Sequence, residues 1–139
     1  MVVLSLFIVL SCRRVTEVRN YESSLEQKAE SAYSSDQYEE CVHHYTELIF
    51  RDSTVAEFFF RRARCLSQLE DQDSLAVADF EYALIMGYDS YKCHYSLGFI
   101  NLMFDRDSAA AGHFEECLKI RDDKPEVREM LQGLRSQSL

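Results

Sequence analysis

The chain has 139 residues, enough for one domain with a real core, and only four glycines and one proline to interrupt helices. Its formal charge of −9 is spread along the chain, which disfavours binding to phosphate backbones and so argues against a nucleic-acid partner. With no Asn-Gly or Asp-Gly pair to close a hairpin, an all-α soluble domain is the expectation.

Met1 to Ser11 reads MVVLSLFIVLS, an apolar run without a charged side chain. It falls short of the roughly 20 residues a spanning helix needs but matches the length of a secretory apolar region. Cys12 follows directly after Val9, Leu10 and Ser11, and Arg13 and Arg14 come next. This arrangement resembles a bacterial lipoprotein signal. The resemblance implies that Cys12 is lipidated, becomes the mature N-terminus and holds the protein to a membrane of the cell envelope. Read by themselves, the same residues also describe an apolar strand or helix tucked onto the domain, or a tail. On the lipoprotein reading, residues 1–12 are the signal segment and 13–20 a linker.

From there the pattern predicts paired helices: 22–35 with 37–51, 55–69 with 74–86, and 90–104 with 107–121. Asp36 with Glu39, and Thr54 with Glu57, have the spacing of a capping box at two helix starts. Gly87 suits a left-handed helix end, and Pro125 suits the first turn of a last helix. In that helix Val127, Met130, Leu131 and Leu134 form an apolar stripe backed by Glu126, Arg128, Glu129 and Arg135.

The pairs repeat. Small residues recur at Ala29, Ala63 and Gly98, and again at Cys41, Ala76 and Ala110. Tyr45, Phe80 and Phe114 form an aromatic series; Leu48, Ala83 and Cys117, and Ile49, Leu84 and Leu118, complete the pattern at the same period of 34 to 35 residues. Small residues at these places let two helices approach, and the aromatic fills the gap beside them. A single pair cannot bury its apolar face, so pairs stack. The pattern resembles the tetratricopeptide-repeat (TPR) family over roughly residues 20–138: Leu97, Gly98, Ala110, Phe114, Cys117 and Pro125 follow its order, as do Phe59, Ala63, Ala76, Phe80 and Ala83. The resemblance implies a right-handed superhelical stack of three repeats (21–54, 55–89 and 90–124) with a capping helix at 125–139.

No phosphate loop, GxSxG or HExxH motif is present, and no enzymatic activity is expected. His113 with Cys117, and Cys41 with His44, are spaced to share a helix face, but each pair offers two metal ligands where a structural site needs four. The cysteines fill small-residue slots, so neither metal nor cofactor is expected. Buried free thiols are the favoured state; if two cysteines bridge, Cys65 and Cys93 are the expected pair, on the first helices of adjacent repeats.

In the TPR family the first helix of each repeat lines a concave groove. Carried over, the groove positions are Glu26, Gln27, Glu30, Tyr33 and Ser34; Phe60, Arg61, Arg64, Ser67 and Gln68; and Tyr95, Ser96, Phe99, Leu102 and Met103. The expected binding set is Tyr33, Phe60, Arg61, Arg64, Tyr95, Phe99, Leu102 and Met103: aromatic and Met surface beside arginine, the composition of a protein-binding hot spot. Packing against the capping helix or the N-terminal segment would equally account for the apolar members. Glu26 and Glu30 stand where a chaperone-binding carboxylate clamp needs Lys and Asn, so that ligand is not expected. The expected partner is a protein or peptide segment, apolar with some acidic character. The function expected is a non-enzymatic, lipid-anchored adaptor of the bacterial envelope, with a cytosolic TPR scaffold or a Cys/His metal-handling accessory as the other readings.

Overall fold

The computed structural model describes residues 2–137 of the backbone and the side chains of residues 13–136. Seven helices and no strand occur among the described residues: α1 (Val2–Ser34), α2 (Tyr38–Arg51), α3 (Ala56–Leu66), α4 (Asp73–Ile85), α5 (Ser90–Met103), α6 (Asp107–Ile120) and α7 (Pro125–Gln137). Each helix packs mainly on the ones before and after it in the chain, the arrangement of a one-dimensional stack.

The repeat series sit where the spacing puts them. Ala29, Ala63, Cys41, Ala76 and Ala110 are fully buried, and Tyr45, Phe80 and Phe114 lie beside them with almost no exposure. Gly98 faces Phe114 so closely that a Cβ would come within 2.7 Å of its ring. Three clusters result, one inside each repeat and its junction with the next helix. In the last, Val127, Leu131 and Leu134 of α7 close the open end of α6, so the C-terminal helix is the cap its stripe predicted.

Two local expectations change. α1 is one continuous helix through 13–20, where a linker was expected. No Gly or Pro lies between residues 2 and 34, so nothing in the backbone ends the helix where its packing ends. Residues 13–20 are exposed, and Tyr21 ties α1 to α2: its hydroxyl donates to Glu47 at 3.0 Å and its ring lies under Arg51. Cys12 lies outside the described side chains.

The capping boxes do not form either. Gln37 and Val55 precede α2 and α3 without side-chain caps. Asp36 instead takes a left-handed conformation (φ 58°), as do Asp71 (59°) and Asp105 (53°). These three aspartates recur at the repeat period, each in the turn between the two helices of a pair. Asp is among the few side chains that tolerate this conformation. Thr54 donates through its backbone N–H and hydroxyl to Asp52 rather than capping α3. Gly87 is left-handed (φ 84°), as expected, and ends α4.

Candidate partner-binding groove

α1, α3 and α5 line a cleft of about 190 Å³. Its walls are Tyr33, Arg64, Ser67, Gln68, Tyr95, Ser96, Phe99 and Met103, and Phe80 and Ile100 contribute from the core beneath. Five of the eight residues expected to bind a partner are therefore brought together: Tyr33, Arg64, Tyr95, Phe99 and Met103. Phe99 is 45% exposed and Met103 60%, so both present apolar surface to solvent.

The other three go elsewhere. Phe60 is a core residue, its ring 5.3 Å from Phe80 and 4.7 Å from Tyr88. Leu102 turns to the cluster around α6 and α7. Arg61 is engaged within the fold. It donates to Glu57 at 2.8 Å and to Glu30, which also accepts from the Tyr45 hydroxyl at 2.6 Å. Burial opposes the charge of Arg61, but its two carboxylate partners hold the guanidinium above the ordinary arginine pKa. Burial likewise disfavours the Glu30 carboxylate, yet the bonds from Tyr45 and Arg61 outweigh it and lower its pKa.

One helical turn separates Arg61 from Arg64, and one turn separates Glu30 from Tyr33. The first pair across α1 and α3 is thus an ion pair. The second is a guanidinium over an aromatic ring, with Arg64 4.3 Å from the Tyr33 centroid. No carboxylate hydrogen-bonds to Arg64 among the described residues, although its charge reaches Glu30. Glu30, expected as part of an acidic groove wall, is neutralised by Arg61; Glu26 remains exposed. Tyr95 stacks on Tyr91 and meets Phe114 edge-on, which holds the far wall in place.

The cysteine and histidine pairings also differ from expectation. Cys41 and Cys65 form a disulfide between α2 and α3, with Cα atoms 6.1 Å apart. Free thiols were the favoured expectation, with Cys65 and Cys93 the pair if two cysteines bridged; in the stack Cys65 faces the second helix of the preceding repeat, so it bonds Cys41 instead. That bond removes Cys41 as a partner for His44. Cys93 and Cys117 are buried free thiols, each pushed up to about 11, mainly by burial. His113 meets His94 rather than Cys117, whose thiol points to the Tyr91 carbonyl.

No family model and no curated protein matches this sequence. Solved structures do. The TPR domain of Arabidopsis OM64 superposes with a TM-score of 0.75 at 21% identity, over 84% of this chain and 96% of that one. The chain has the tetratricopeptide-repeat fold. The Yersinia enterocolitica type III secretion chaperone SycD, in complex with a peptide of the translocator YopD, gives 0.77 at 19% identity, over 86% and 96%. The first TPR of Spaghetti (RPAP3), bound to the HSP90 peptide SRMEEVD, gives 0.73 at 17%, over 84% and 94%. In this TPR stack the cleft between α1, α3 and α5 lies on the face made by the first helices of the three repeats.

Proposed function

We propose that this protein is a non-enzymatic TPR adaptor that docks a segment of another protein in the cleft. The observation that carries the reading is the pairing of Arg64, which has no carboxylate bonded to it among the described residues, with the exposed Phe99 and Met103 on the opposite wall. A segment laying an apolar side chain on Phe99 and Met103 would place a neighbouring Asp or Glu at Arg64. The ligand is therefore mixed, apolar with acidic character toward α3 and α5, and neutral or basic toward the exposed Glu26 of α1. Solved structures of the same fold that carry peptides, SycD and the first TPR of RPAP3, lend support to a peptide ligand.

The test is capture of the partner from the native host by the full chain, followed by affinity measurements on variants. Phe99→Ala should weaken binding by about 2 kcal/mol if Phe99 is a central anchor. Arg64→Glu should weaken it too, and added salt should loosen the wild-type complex. Phe99 and Arg64 variants that fold normally and still capture the partner with unchanged affinity would place the contact elsewhere.

We further propose that the adaptor is exported and anchored through a lipid on Cys12. The apolar run ending at Cys12 supports this reading. So does the Cys41–Cys65 disulfide, since such bonds persist in oxidising compartments and are rare in the cytosol. Cys12→Ala should release the protein from membranes or leave an unprocessed precursor. Wild-type protein recovered in the soluble fraction with Met1 retained would exclude the anchor and favour a cytosolic scaffold.

A further inference from the structure

The residue just before the repeat aromatic is polar in all three repeats: His44, Asp79 and His113. The three are met differently. In the second repeat Asp79 is almost fully buried and takes a two-pronged bond from Arg62 of α3, at 2.7 and 2.8 Å. In the first, the Nδ1 of His44 is buried without a partner. In the third, His113 of α6 faces His94 of α5, with the two Nδ1 atoms 3.1 Å apart and both rings half-buried. Where the second repeat pairs a base with an acid, the third brings together two bases.

Two imidazoles in this arrangement share at most one proton between the facing nitrogens, so one Nδ1 donates and the other offers a lone pair. A metal ion uses both lone pairs. Two nitrogens each about 2.0–2.1 Å from a tetrahedral zinc ion stand about 3.3 Å apart, within a few tenths of an ångström of the separation found here. Metal entry then needs only a small rotation of the rings and movement of one proton from Nδ1 to Nε2 of the donating ring, with no net proton release from the neutral pair. Glu116 lies one turn beyond His113 on α6. Among the described residues the carboxylate of Glu116 is tied to Lys119, in an exposed pair of the kind that contributes little.

We propose that His94 and His113 form a binding site for one divalent transition-metal ion of the zinc–nickel–copper class, with Glu116 swinging from Lys119 to serve as third ligand and water completing the shell. Among the described residues no group of three His, Cys, Asp or Glu side chains is already gathered on one point. The site is thus two facing nitrogens with the Glu116 carboxylate one turn along α6 from His113, and imidazole ligands select this class of ion over magnesium or calcium. The ion would clamp α5 to α6, the two helices that carry the third-repeat wall of the cleft and its buried support.

The experiment is calorimetric titration of the untagged, chelator-treated full chain with zinc chloride and, separately, nickel chloride, together with nitrogen-15 imidazole NMR of the same sample. The expected result is one saturable site, with the Nδ1 resonances of His94 and His113 shifted. His94→Asn and His113→Asn should each abolish it, and Glu116→Gln should weaken it about 10-fold. His43→Asn, which alters an exposed histidine on α2, should leave it intact. Absence of saturable binding overturns the proposal. So does binding that survives both His94→Asn and His113→Asn, or that shifts His43 or His44 and not His94 and His113. The NMR readout on wild-type protein decides the question even if a histidine variant fails to fold.

Discussion

Replacing Gly98 by alanine tests the packing that underlies the third repeat. The new Cβ would stand 2.7, 2.9 and 3.1 Å from Cε1, Cδ1 and Cζ of Phe114. Carbon atoms in ordinary contact sit about 3.5–4.0 Å apart, so the overlap is about 1 Å. Phe114 has no exposed surface and is held edge-on by Tyr95. It cannot swing aside without disturbing the junction with α7. Overpacking of this kind costs about 1–3 kcal/mol. Against it, alanine in a helix interior gains about 1 kcal/mol over glycine. The net expectation is a loss of about 1 kcal/mol, read as a lower urea midpoint with an unchanged slope. The decisive comparison is the same substitution in a Phe114→Leu background. There the Cε1 and Cζ atoms are gone and the smaller side chain can give way, so the loss should shrink toward or past zero, a coupling of about 1–2 kcal/mol. If Gly98→Ala stabilises the wild-type chain, or changes stability equally in both backgrounds, the close approach of α5 and α6 is wrong.

Other outcomes follow from the same structure. Arg62→Ala should destabilise the protein by about 3 kcal/mol, because it strands the buried Asp79 carboxylate; chemical denaturation measures it, and a loss below about 1 kcal/mol would mean that water replaces the arginine. Asp71→Gly should leave stability unchanged or raise it, whereas Asp71→Val should lower it by about 1–2 kcal/mol, since the left-handed turn penalises a branched side chain. Glu30 has a folded pKa below its unfolded value, so its stabilisation is complete above the ordinary glutamate value of 4.5 and fades as pH falls through the lower folded value. Urea midpoints of the wild type should therefore drop more steeply than those of Glu30→Gln in that acid window, and parallel curves would contradict the bonded network. Under non-reducing, denaturing conditions Cys41 and Cys65 should resist alkylation while Cys93 and Cys117 react; reduction should then lower stability by about 3 kcal/mol for a bridge across 24 residues.

The sequence by itself determined the helix pairs, their order and the inner face of each. Those properties follow from local periodicity: small residues and aromatics at a 34 to 35 residue spacing mark where the two helices of a pair touch, and Gly87 and Pro125 mark where helices end or begin. The aspartate series at residues 36, 71 and 105 was equally legible by its period, but an Asp three residues before Glu39 has the look of a helix cap, and only backbone dihedrals separate a cap from a left-handed turn. What the tertiary structure alone decided lies at the junctions between repeats. Phe60, Arg61 and Arg64 share one helix, yet Phe60 meets Phe80 and Tyr88, Arg61 meets Glu30 and Glu57, and Arg64 is left above Tyr33. Adjacent helical positions point about 100° apart, and residues at the edge of a face go inward or outward according to what the next repeat presents. That partner lies some 30 residues away in the chain, as Glu30 does from Arg61, so no local pattern encodes it. The same reason hid the Cys41–Cys65 bond and the meeting of His94 with His113.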